Sequence, residues 1–271
     1  MNKLEFESIK NKLKEYKFNS LEYRDYDEVE NYNIAVDNEN VLIVEGYNEE
    51  HGIKEFHWAA NKWTELAAII QKEAVPILVT FIPEPWKENY IKLGFKEYAI
   101  YREYWIEDIE RVSKDKYSYS VIKESEITEA SQVTVECRGQ SRGFQGETPE
   151  WIESWINGSE DGLVSAKDST ILVYRENDEV LGVVCLAIYG HGSEKGSILW
   201  VRELAVSPKS QGQGIGRKLL KQALTYGIDH GAKRSFLMAD ECNFNAKKLY
   251  EDIGFIPSLD EVQIDMIYKG K

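Results

Sequence analysis

Cysteine, histidine and proline are scarce in this sequence of 271 residues, which holds three, four and six of them respectively. The cysteines Cys137, Cys185 and Cys242 lie far apart and form no CxxC pair. This spacing predicts free buried thiols in a reducing compartment. The histidines are scattered without the spacing of a zinc-binding helix, so we expect no metal site.

Long apolar runs and an excess of positive charge are also missing. No apolar run approaches the roughly 20 residues that a membrane-spanning helix requires, and the charged N-terminal segment lacks the apolar core of a signal peptide. Lysine and arginine number 33 against 47 aspartates and glutamates, which gives a formal net charge of -14. Such a surface repels phosphate backbones, although it could attract a cationic substrate. We therefore expect a cytoplasmic protein that binds neither nucleic acid nor membranes.

Helical and alternating apolar patterns follow one another through both halves of the chain, which predicts an α/β fold with a mixed sheet. In the first half we expect helices at 3–16, 55–72 and 85–93, and strands at 31–37, 40–46, 75–82 and 95–106. In the second half we expect helices at 126–137, 151–156, 215–229 and 243–253, strands at 118–123, 170–176, 180–189, 197–206 and 234–240, and a closing strand pair in 255–269. The polar segment 111–117 predicts a boundary between domains 1–112 and 118–271.

The two halves can be compared at a fixed offset of 160 residues. The segments 201–206, 215–229 and 235–241 then fall on 41–46, 55–69 and 75–81. Tyr250-x-x-x-Gly254-Phe255 falls without a gap on Tyr90-x-x-x-Gly94-Phe95. The shared order indicates two copies of one unit, although any α/β chain alternates strands and helices.

The most informative segment is Gln211-Gly212-Gln213-Gly214-Ile215-Gly216, between a predicted strand and a predicted helix. Glycine lets the backbone turn sharply and lets a ligand approach its N–H groups. The unpaired N–H groups and positive dipole end of a helix N-terminus bind anions. Arg217 and Lys218 oppose that dipole by about 0.3–1 kcal/mol each, and a bound polyphosphate would reverse the sign. The pattern favours a phosphate-bearing ligand, with a glycine-rich turn beside a solvated basic pair as the alternative.

Two other phosphate-binding motifs fit this segment poorly. A P-loop needs Gly-Lys-Ser/Thr, whereas Gly216 is followed by Arg217-Lys218-Leu219. A dinucleotide-binding fold has G-x-G-x-x-G, whereas the third glycine here comes one residue early.

A second motif runs from Asn243 to Phe255. Its apolar residues share one helix face by their i, i+3, i+4, i+7 spacing, and they are Ala246, Leu249, Tyr250 and Ile253. Asn243 suits a helix N-cap, and Gly254 suits the position after the helix. Spacing alone favours a well-capped core helix with a buried tyrosine.

Together, the order strand, Q-x-x-G-x-G, helix, strand, N-x-x-A-x-x-L-Y-x-x-x-G-F resembles the GNAT superfamily of N-acetyltransferases. The resemblance covers about 118–271 and is most specific over 198–255. The first half resembles a degenerate GNAT unit, so the chain is similar to a tandem GNAT protein, with two packed copies and one working site. This resemblance implies acetyl-CoA as co-substrate and no metal. It implies cofactor contacts from Leu204, Ala205, Val206, Gln211, Gly212, Gln213, Gly214, Ile215, Gly216, Arg217, Asn243 and Tyr250.

The resemblance also implies direct attack of a primary amine on the thioester. Backbone N–H groups of a splayed strand would stabilise the oxyanion, and Tyr250 would protonate the departing sulfur as general acid. Glu203, on that strand, is the candidate general base, with a structural role as partner of Arg202 as its alternative. Asp240 is a weaker candidate base.

The amine acceptor is expected between the helices of 126–157 and the strand hairpin. The candidate lining residues are Arg138, Arg142, Phe144, Trp151 and Trp155, for which surface packing is the alternative role. Two other classes of function stay open, a non-catalytic CoA-binding or protein-interaction module of GNAT fold and a dinucleotide-binding oxidoreductase. Nothing in the sequence selects among amine acceptors, or between a monomer and a homodimer.

Overall fold

The computed structural model describes residues 1–49, 52–142, 144–157 and 167–270, and the chain divides into two compact units. One unit comprises Met1–Tyr101 and Val262–Lys271, and the other comprises Arg102–Glu261. These units differ from the predicted domains 1–112 and 118–271, because the last residues of the chain belong with the first unit.

Among the described residues, the first unit contains four α-helices and most of six strands. The helices are α1 (Lys3–Lys12), α2 (Tyr26–Val29), α3 (Trp63–Ile70) and α4 (Glu84–Lys92). The strands are β1 (Phe18–Asn19), β2 (Asn33–Asp37), β3 (Val41–Asn48), β4 (Ile53–Ala60), β5 (Ile77–Val79) and β6 (Lys96–Ile106), of which β6 continues into the second unit.

Helix α1 begins with a reciprocal cap, in which the Asn2 side chain accepts from the Glu5 N–H and the Glu5 carboxylate accepts from the Asn2 N–H. This arrangement satisfies two N–H groups that a helix start leaves open. The helix packs Phe6 and Ile9 into a cluster with Leu42 of β3. The predicted helix at 3–16 is thereby confirmed. Its last turn, Leu13–Glu15, is a 3₁₀ helix rather than an α-helix.

The predicted helix at 55–72 is wrong over its first part. Residues Ile53–Ala60 form β4, and the helix α3 starts only at Trp63. The segment Glu55-Phe56-His57-Trp58 alternates polar and aromatic residues, which is the period of a strand. Phe56 and Trp58 contribute to one core cluster, and Ala59 contributes to the other. The apolar residues that suggested one long helix therefore belong to two elements, one face of β4 and the shorter helix α3.

In the part of the second unit that the structure describes there are five α-helices and the remaining strands. The helices are α5 (Ile109–Val112), α6 (Ile127–Glu136), α7 (Pro149–Asn157), α8 (Ile215–Asp229) and α9 (Phe244–Ile253). The strands are β7 (Ser169–Glu176), β8 (Glu179–Tyr189), β9 (Ile198–Val206), β10 (Arg234–Asp240) and β11 (Ile256–Tyr268), of which β11 belongs to the first unit from Val262 onward.

Two further expectations are corrected at the ends of the second half. The stretch 118–123 is not a strand but makes a single bridge between Val121 and Leu172. The closing strand pair in 255–269 is one strand, β11. The end of β11 pairs antiparallel with β5 of the first unit, where Met266 faces Val79 and Tyr268 faces Ile77.

The strands of each unit form a mixed arrangement. In the first unit the order is β2-β3-β4-β5-β11, with β4 and β5 parallel and the other pairs antiparallel. In the second unit the order is β10-β9-β8-β7, with β9 and β10 parallel and the others antiparallel. The predicted α/β fold class with a mixed sheet is confirmed. Among the described residues, none of the helices combines the length and apolar character needed to cross a membrane.

Helices cover the two faces of the second unit's sheet. Helix α8 packs its Leu219, Leu220 and Ala223 against one face, together with Val184 and Leu199 of the strands. Helices α6 and α7 pack Val133 and Ile152 against the other face. The start of α8 lies close to β8 because Gly182 has no side chain there.

Replacing Gly182 with alanine tests this close approach. An added Cβ would lie 2.9 Å from Leu219 Cδ1 and 3.0 Å from Ile215 Cγ2. We expect the free energy of unfolding to fall by about 1–3 kcal/mol, because a packed interior resists extra volume. Urea unfolding measures the change. Gly192→Ala is the matched control, since nothing lies within 4 Å of its added Cβ. Equal unfolding midpoints for the two variants would contradict the packing argument.

Candidate functional site

The strands β9 and β10 pair at their starts and then part. Their parallel ladder joins Ile198 to Arg234 and ends where Trp200 faces Phe236. Beyond it β9 runs to Val206 and β10 to Asp240 with no further ladder partners between them in the described part of the chain. We call the space between these two strand ends the strand wedge. It leaves one side of the β9 backbone free to pair with something other than β10.

A bulge in β9 lies beside the wedge. Val201 faces Leu186 of β8 and Glu203 faces Cys185, so Arg202 is an extra residue on β9. A bulge bends the strand and increases its twist, which re-aims neighbouring side chains. The implied cofactor residues Leu204, Ala205 and Val206 follow the bulge and lie along the wedge. The position agrees with what the resemblance requires, and their cofactor contacts stay a prediction.

The glycine-rich loop connects β9 to α8. Gln211 donates its side-chain amide to the Val206 carbonyl at 2.9 Å, which ties the loop to the strand end. Gly212 and Gly214 have φ of 75° and 81°, in the left-handed region where a side chain adds strain. Gly214 is the N-cap of α8, and no side chain caps the helix there among the described residues.

The first turn of α8 therefore presents open N–H groups. The first helical hydrogen bond runs from the Lys218 N–H to the Gly214 carbonyl at 3.0 Å. The amides of Ile215, Gly216 and Arg217 precede this bond and point out of the helix end. Together with the helix dipole they fit a pyrophosphate group.

Four of the predicted loop residues have additional roles. A Cβ on Gly216 would lie 3.2 Å from Leu249 Cδ2, so this glycine lets α8 approach α9. The Ile215 side chain is buried in the core, which leaves only its backbone for a ligand. Arg217 forms an ion pair with Asp252 of α9 at 2.7 Å, so its charge already has a partner. Gln213 donates to the Lys209 carbonyl at 3.4 Å.

Tyr250 lies on α9, whose N-cap is Asn243. The Asn243 side-chain oxygen accepts from the Ala246 N–H at 3.1 Å. Tyr250 is buried, and its ring contacts those of Tyr104 and Phe255 edge-on. Burial, and then the charge of Glu203, raise the pKa of Tyr250 well above its usual value. The phenol is thus protonated at neutral pH, as a general acid must be.

Glu203 lies in a chain of charged and aromatic side chains. Its carboxylate lies 3.8 Å from Arg202 Nη1, and Arg202 Nη1 lies 2.7 Å from Glu147 Oε1. The Arg202 guanidinium lies 4.3 Å from the centre of the Trp151 ring and 5.4 Å from that of Trp155. Arg202 thus pairs closely with Glu147 and more loosely with Glu203, so the alternative role of Glu203 as a partner of Arg202 is present in the structure.

Glu147 is a residue that the sequence reasoning missed. Its backbone is fixed by α6, since the Ser131 hydroxyl donates to the Glu147 carbonyl at 2.7 Å and the Glu147 N–H donates to Thr134 Oγ1 at 2.7 Å. Gly146 makes this contact possible, because a Cβ there would lie 2.5 Å from Val135 Cα. These contacts are long-range, and no local sequence signal indicates them.

Asp240 has the surroundings of a structural anchor. Its side chain is fully buried and accepts hydrogen bonds from Arg142 Nη2, Nε and N–H at 2.5, 2.9 and 2.8 Å. Cys242 donates through its N–H at 3.1 Å and its Sγ at 3.0 Å. Burial alone would raise the pKa of Asp240, but the hydrogen bonds from Arg142 and Cys242 lower it to about 2. So acidic a carboxyl is a poor proton acceptor, and we leave it out of the proposed mechanism.

The predicted acceptor region is only partly assembled. Trp151 and Trp155 stack at 5.0 Å between ring centres, and with Phe144 they pack against the core. Arg142 is held by Asp240, and Arg138 is exposed. Gly143, in the predicted loop 138–150, lies outside the described residues. Arg202 contacts both tryptophan rings and also Glu203, so it links the two. Among the described residues, Arg138 contacts neither the tryptophans nor Glu203.

The first unit has a corresponding pair of parallel strands that part in the same way. The ladder of β4 and β5 ends where Phe56 faces Val79. Here β1 pairs with the end of β4, and the Trp58 indole donates to the Thr80 carbonyl at 2.9 Å. Only two residues separate β4 from α3, so no glycine-rich loop precedes that helix. In the described part of the first unit, β1 and the Trp58 side chain thus occupy the space between the two strand ends. The corresponding space in the second unit is the strand wedge.

Comparison with known proteins identifies one family. The sequence profile described as "Acetyltransferase (GNAT) family" matches residues 134–255. An uncharacterised N-acetyltransferase of Archaeoglobus fulgidus is 29% identical over 89 residues, which are 32% of this chain and 60% of that protein. An uncharacterised N-acetyltransferase of Bacillus subtilis is 32% identical over 88 residues, which are 32% of this chain and 59% of that protein. The matches thus span about three fifths of the length of these relatives.

A solved structure is similar over nearly the whole chain. The acetyltransferase from the GNAT family of Colwellia psychrerythraea superposes with a TM-score of 0.60 and 12% sequence identity. The match covers 98% of this chain and 97% of that one. At this level of identity the likeness shows the fold alone.

Replacing Asp240 with asparagine tests its role as an anchor. The pKa of about 2 in the folded state lies below the unfolded value of about 3.9. The ionised form therefore stabilises the fold above pH ~4, and this contribution is lost as the pH falls towards ~2. At neutral pH we expect Asp240→Asn to lower the free energy of unfolding by about 1–3 kcal/mol.

Urea unfolding across the acid range measures this difference, which should shrink as the pH falls. Asp252→Asn is the control, because the half-exposed Arg217–Asp252 pair should contribute less than about 1 kcal/mol. Two variants of equal stability at neutral pH would remove the anchor role.

Proposed function

Since this chain is a member of the GNAT superfamily, we propose that it is an acetyl-CoA-dependent N-acetyltransferase with one working site, in its second unit. The proposal rests on the strand wedge, which opens directly before a glycine-rich helix start without a side-chain cap. An extended arm fits along a strand edge that has lost its neighbour, and a pyrophosphate fits at an open helix N-terminus. The two sites are joined by the loop from Val206 to Ile215, so one molecule can occupy both.

The cofactor contacts of this proposal come from three places. The backbone of Leu204, Ala205 and Val206 pairs with the pantetheine arm. The amides of the loop 211–217 bind the pyrophosphate, with Gly212 and Gly214 giving it room. Asn243, at the start of α9, contributes from the facing side. Arg217 adds positive charge at the loop while staying paired to Asp252.

The residues of the wedge carry the chemistry. Acetyl-CoA supplies an activated acetyl thioester. Glu203 takes a proton from the acceptor ammonium, directly or through water, so that the amine nitrogen can form its bond to the carbonyl carbon. Backbone N–H groups of β9 stabilise the negative charge on the carbonyl oxygen. Tyr250 donates its proton to the sulfur as the carbon–sulfur bond breaks, and the second proton of the amine nitrogen passes to the Tyr250 phenolate, which leaves the neutral amide and restores the phenol.

The acceptor in this proposal is a primary amine. The aromatic layer of Trp151 and Trp155 lies beside Arg202 and Glu203. It forms a wall on the side of β9 that α6 and α7 cover. The Glu203 carboxylate attracts the ammonium form and then accepts its proton.

We also propose that the first unit is a second copy of the GNAT fold without a cofactor site. Its β4-α3-β5-α4 order matches β9-α8-β10-α9 of the second unit. Both final helices end alike, since the Phe95 and Phe255 N–H groups donate to the Tyr90 and Tyr250 carbonyls at 3.1 and 3.0 Å. Gly94 and Gly254, with φ of 92° and 117°, allow these endings.

Replacing Gly214 with valine tests the cofactor loop. Gly214 has a left-handed φ of 81°, which a β-branched residue adopts only with strain. We expect wild type to bind one acetyl-CoA per chain in a calorimetric titration, and Gly214→Val to bind none. Gly231→Val is the matched control, because Gly231 has a φ of 83°, is equally open, and lies just beyond the other end of α8.

The outcomes of this titration separate the possibilities. Unchanged affinity in Gly214→Val would contradict the loop assignment. Two molecules per chain would show that the first unit also binds the cofactor. Binding without acetyl transfer to any of a panel of amines would favour a non-catalytic module of GNAT fold.

Tyr250→Phe tests the general acid. We expect kcat to fall by at least about tenfold, because the leaving thiolate is no longer protonated, while acetyl-CoA affinity stays within about twofold. A steady-state assay of thiol release and a direct binding titration measure the two quantities. Tyr90→Phe, at the corresponding position of the first unit, should leave both unchanged. A Tyr250→Phe enzyme with the turnover of wild type would remove this role.

A further inference from the structure

A polar cavity of about 540 Å³ lies in the first unit, and the proposed mechanism does not use it. Among its walls are the side chains of Glu55 and His57, which are 5% and 2% exposed. Burying such groups costs free energy unless they are well paired. The chain nevertheless places both on one strand, β4, at alternate positions that face the same side.

The hydrogen bonds of Glu55 are unevenly distributed. Tyr32 and Asn48 donate to its Oε2 at 3.0 and 3.1 Å, and His57 Nε2 lies 3.5 Å from the same oxygen. The other oxygen, Oε1, has no hydrogen-bond partner among the residues that the structure describes. A carboxylate accepts through both oxygens, so half of this buried group is left open at the cavity wall.

Tyr32 is placed for its contact with Glu55 by two other residues. Its ring stacks on His57 with 5.7 Å between ring centres and a 12° angle between planes. Its ring also lies over Gly46, where an added Cβ would come within 2.3 Å of Tyr32 Cγ. The tyrosine therefore needs a glycine at position 46. The contacts with His57 and Gly46 thus hold the Tyr32 ring in one position at the cavity wall.

The charge around the cavity is unbalanced. Its lining carries three carboxylates, Glu28, Glu49 and Glu55, against the single guanidinium of Arg24. Arg24 Nη1 lies 3.1 Å from Glu28 Oε1, so its nearest partner is not Glu55. Burial raises the pKa of Glu55, but the hydrogen bonds of His57 and Asn48 and the charge of Arg24 lower it to about 2, so the carboxylate is ionised at neutral pH. The carboxylates of the lining thus outnumber its cations.

We propose that this cavity binds a small organic ammonium ion, with Glu55 Oε1 as its acceptor. Tyr47, whose ring is exposed at the cavity, provides an aromatic face for the cation. The site lies on the first unit alone and does not depend on the proposed acetyl transfer. It gives this unit a ligand of its own.

A titration of the full chain with n-butylammonium, in the absence of acetyl-CoA, tests the proposal. Amide NMR spectra report both saturation and location. We expect saturable shifts centred on Tyr32, Gly46 and the segment 55–57, and no such shifts with n-butanol, which has the same length but no charge. Glu55→Gln should weaken binding at least about tenfold, because it removes the charge at nearly constant volume.

Glu45→Gln is the matched control, since Glu45 lies on the neighbouring strand β3 and pairs with Lys54 at 3.0 Å outside this cavity. It should bind n-butylammonium as wild type does. Equal responses of wild type to n-butylammonium and n-butanol would overturn the proposal, even if Glu55→Gln did not fold. Shifts confined to Trp151, Trp155 and Arg202 would overturn it as well, because the amine would then bind only at the proposed acceptor region.

Discussion

The parting of two parallel strands is the constraint on which the rest of this structure depends. Backbone N–H and C=O groups that lose their ladder partners must find others, because leaving them unpaired in the interior is costly. In the second unit the strand end is partly satisfied by side chains, since Cys137 Sγ and the Gln211 amide both reach the Val206 carbonyl. In our proposal the remaining edge of β9 pairs with the pantetheine arm of acetyl-CoA. In the first unit the chain supplies its own partners, β1 and the Trp58 indole.

A second theme is how neighbouring groups divide the acid and base roles. Tyr250 is buried and stays protonated, and the charge of Glu203 strengthens that tendency. Asp240 is held strongly acidic by Arg142 and Cys242, which fixes it as an ionised anchor. Glu203 lies 3.8 Å from Arg202, whose closer partner is Glu147, and we propose it as the group that accepts the proton of the amine. Composition alone would not assign these different roles to Tyr250, Asp240 and Glu203.

Most of the second unit could be predicted from the sequence because its signals are local. The apolar runs of β7 to β10, the glycines before α8 and the caps of α9 each fit within a few residues. The failures have physical causes of two kinds. In β4, charged and aromatic residues alternate with the period of a strand, yet they also fill a helical stripe, and only pairing with β3 and β5 decides between the two. Glu147 and the β1 segment act through partners 40 or more residues away, such as Arg202 and Ala60. No local pattern predicts such pairings.

The glycines of the loop show why a motif needs a structure to interpret it. Gly212 and Gly214 adopt left-handed φ values with open space around them, which is what a close ligand requires. Gly216 has an ordinary φ and is instead crowded by Leu249, so its reason to be glycine is the packing of α8 on α9. A chain could therefore keep Gly216 for its fold alone and still have lost the ligand. The two left-handed glycines, which no packing contact among the described residues explains, are the part of the motif that argues for a bound phosphate.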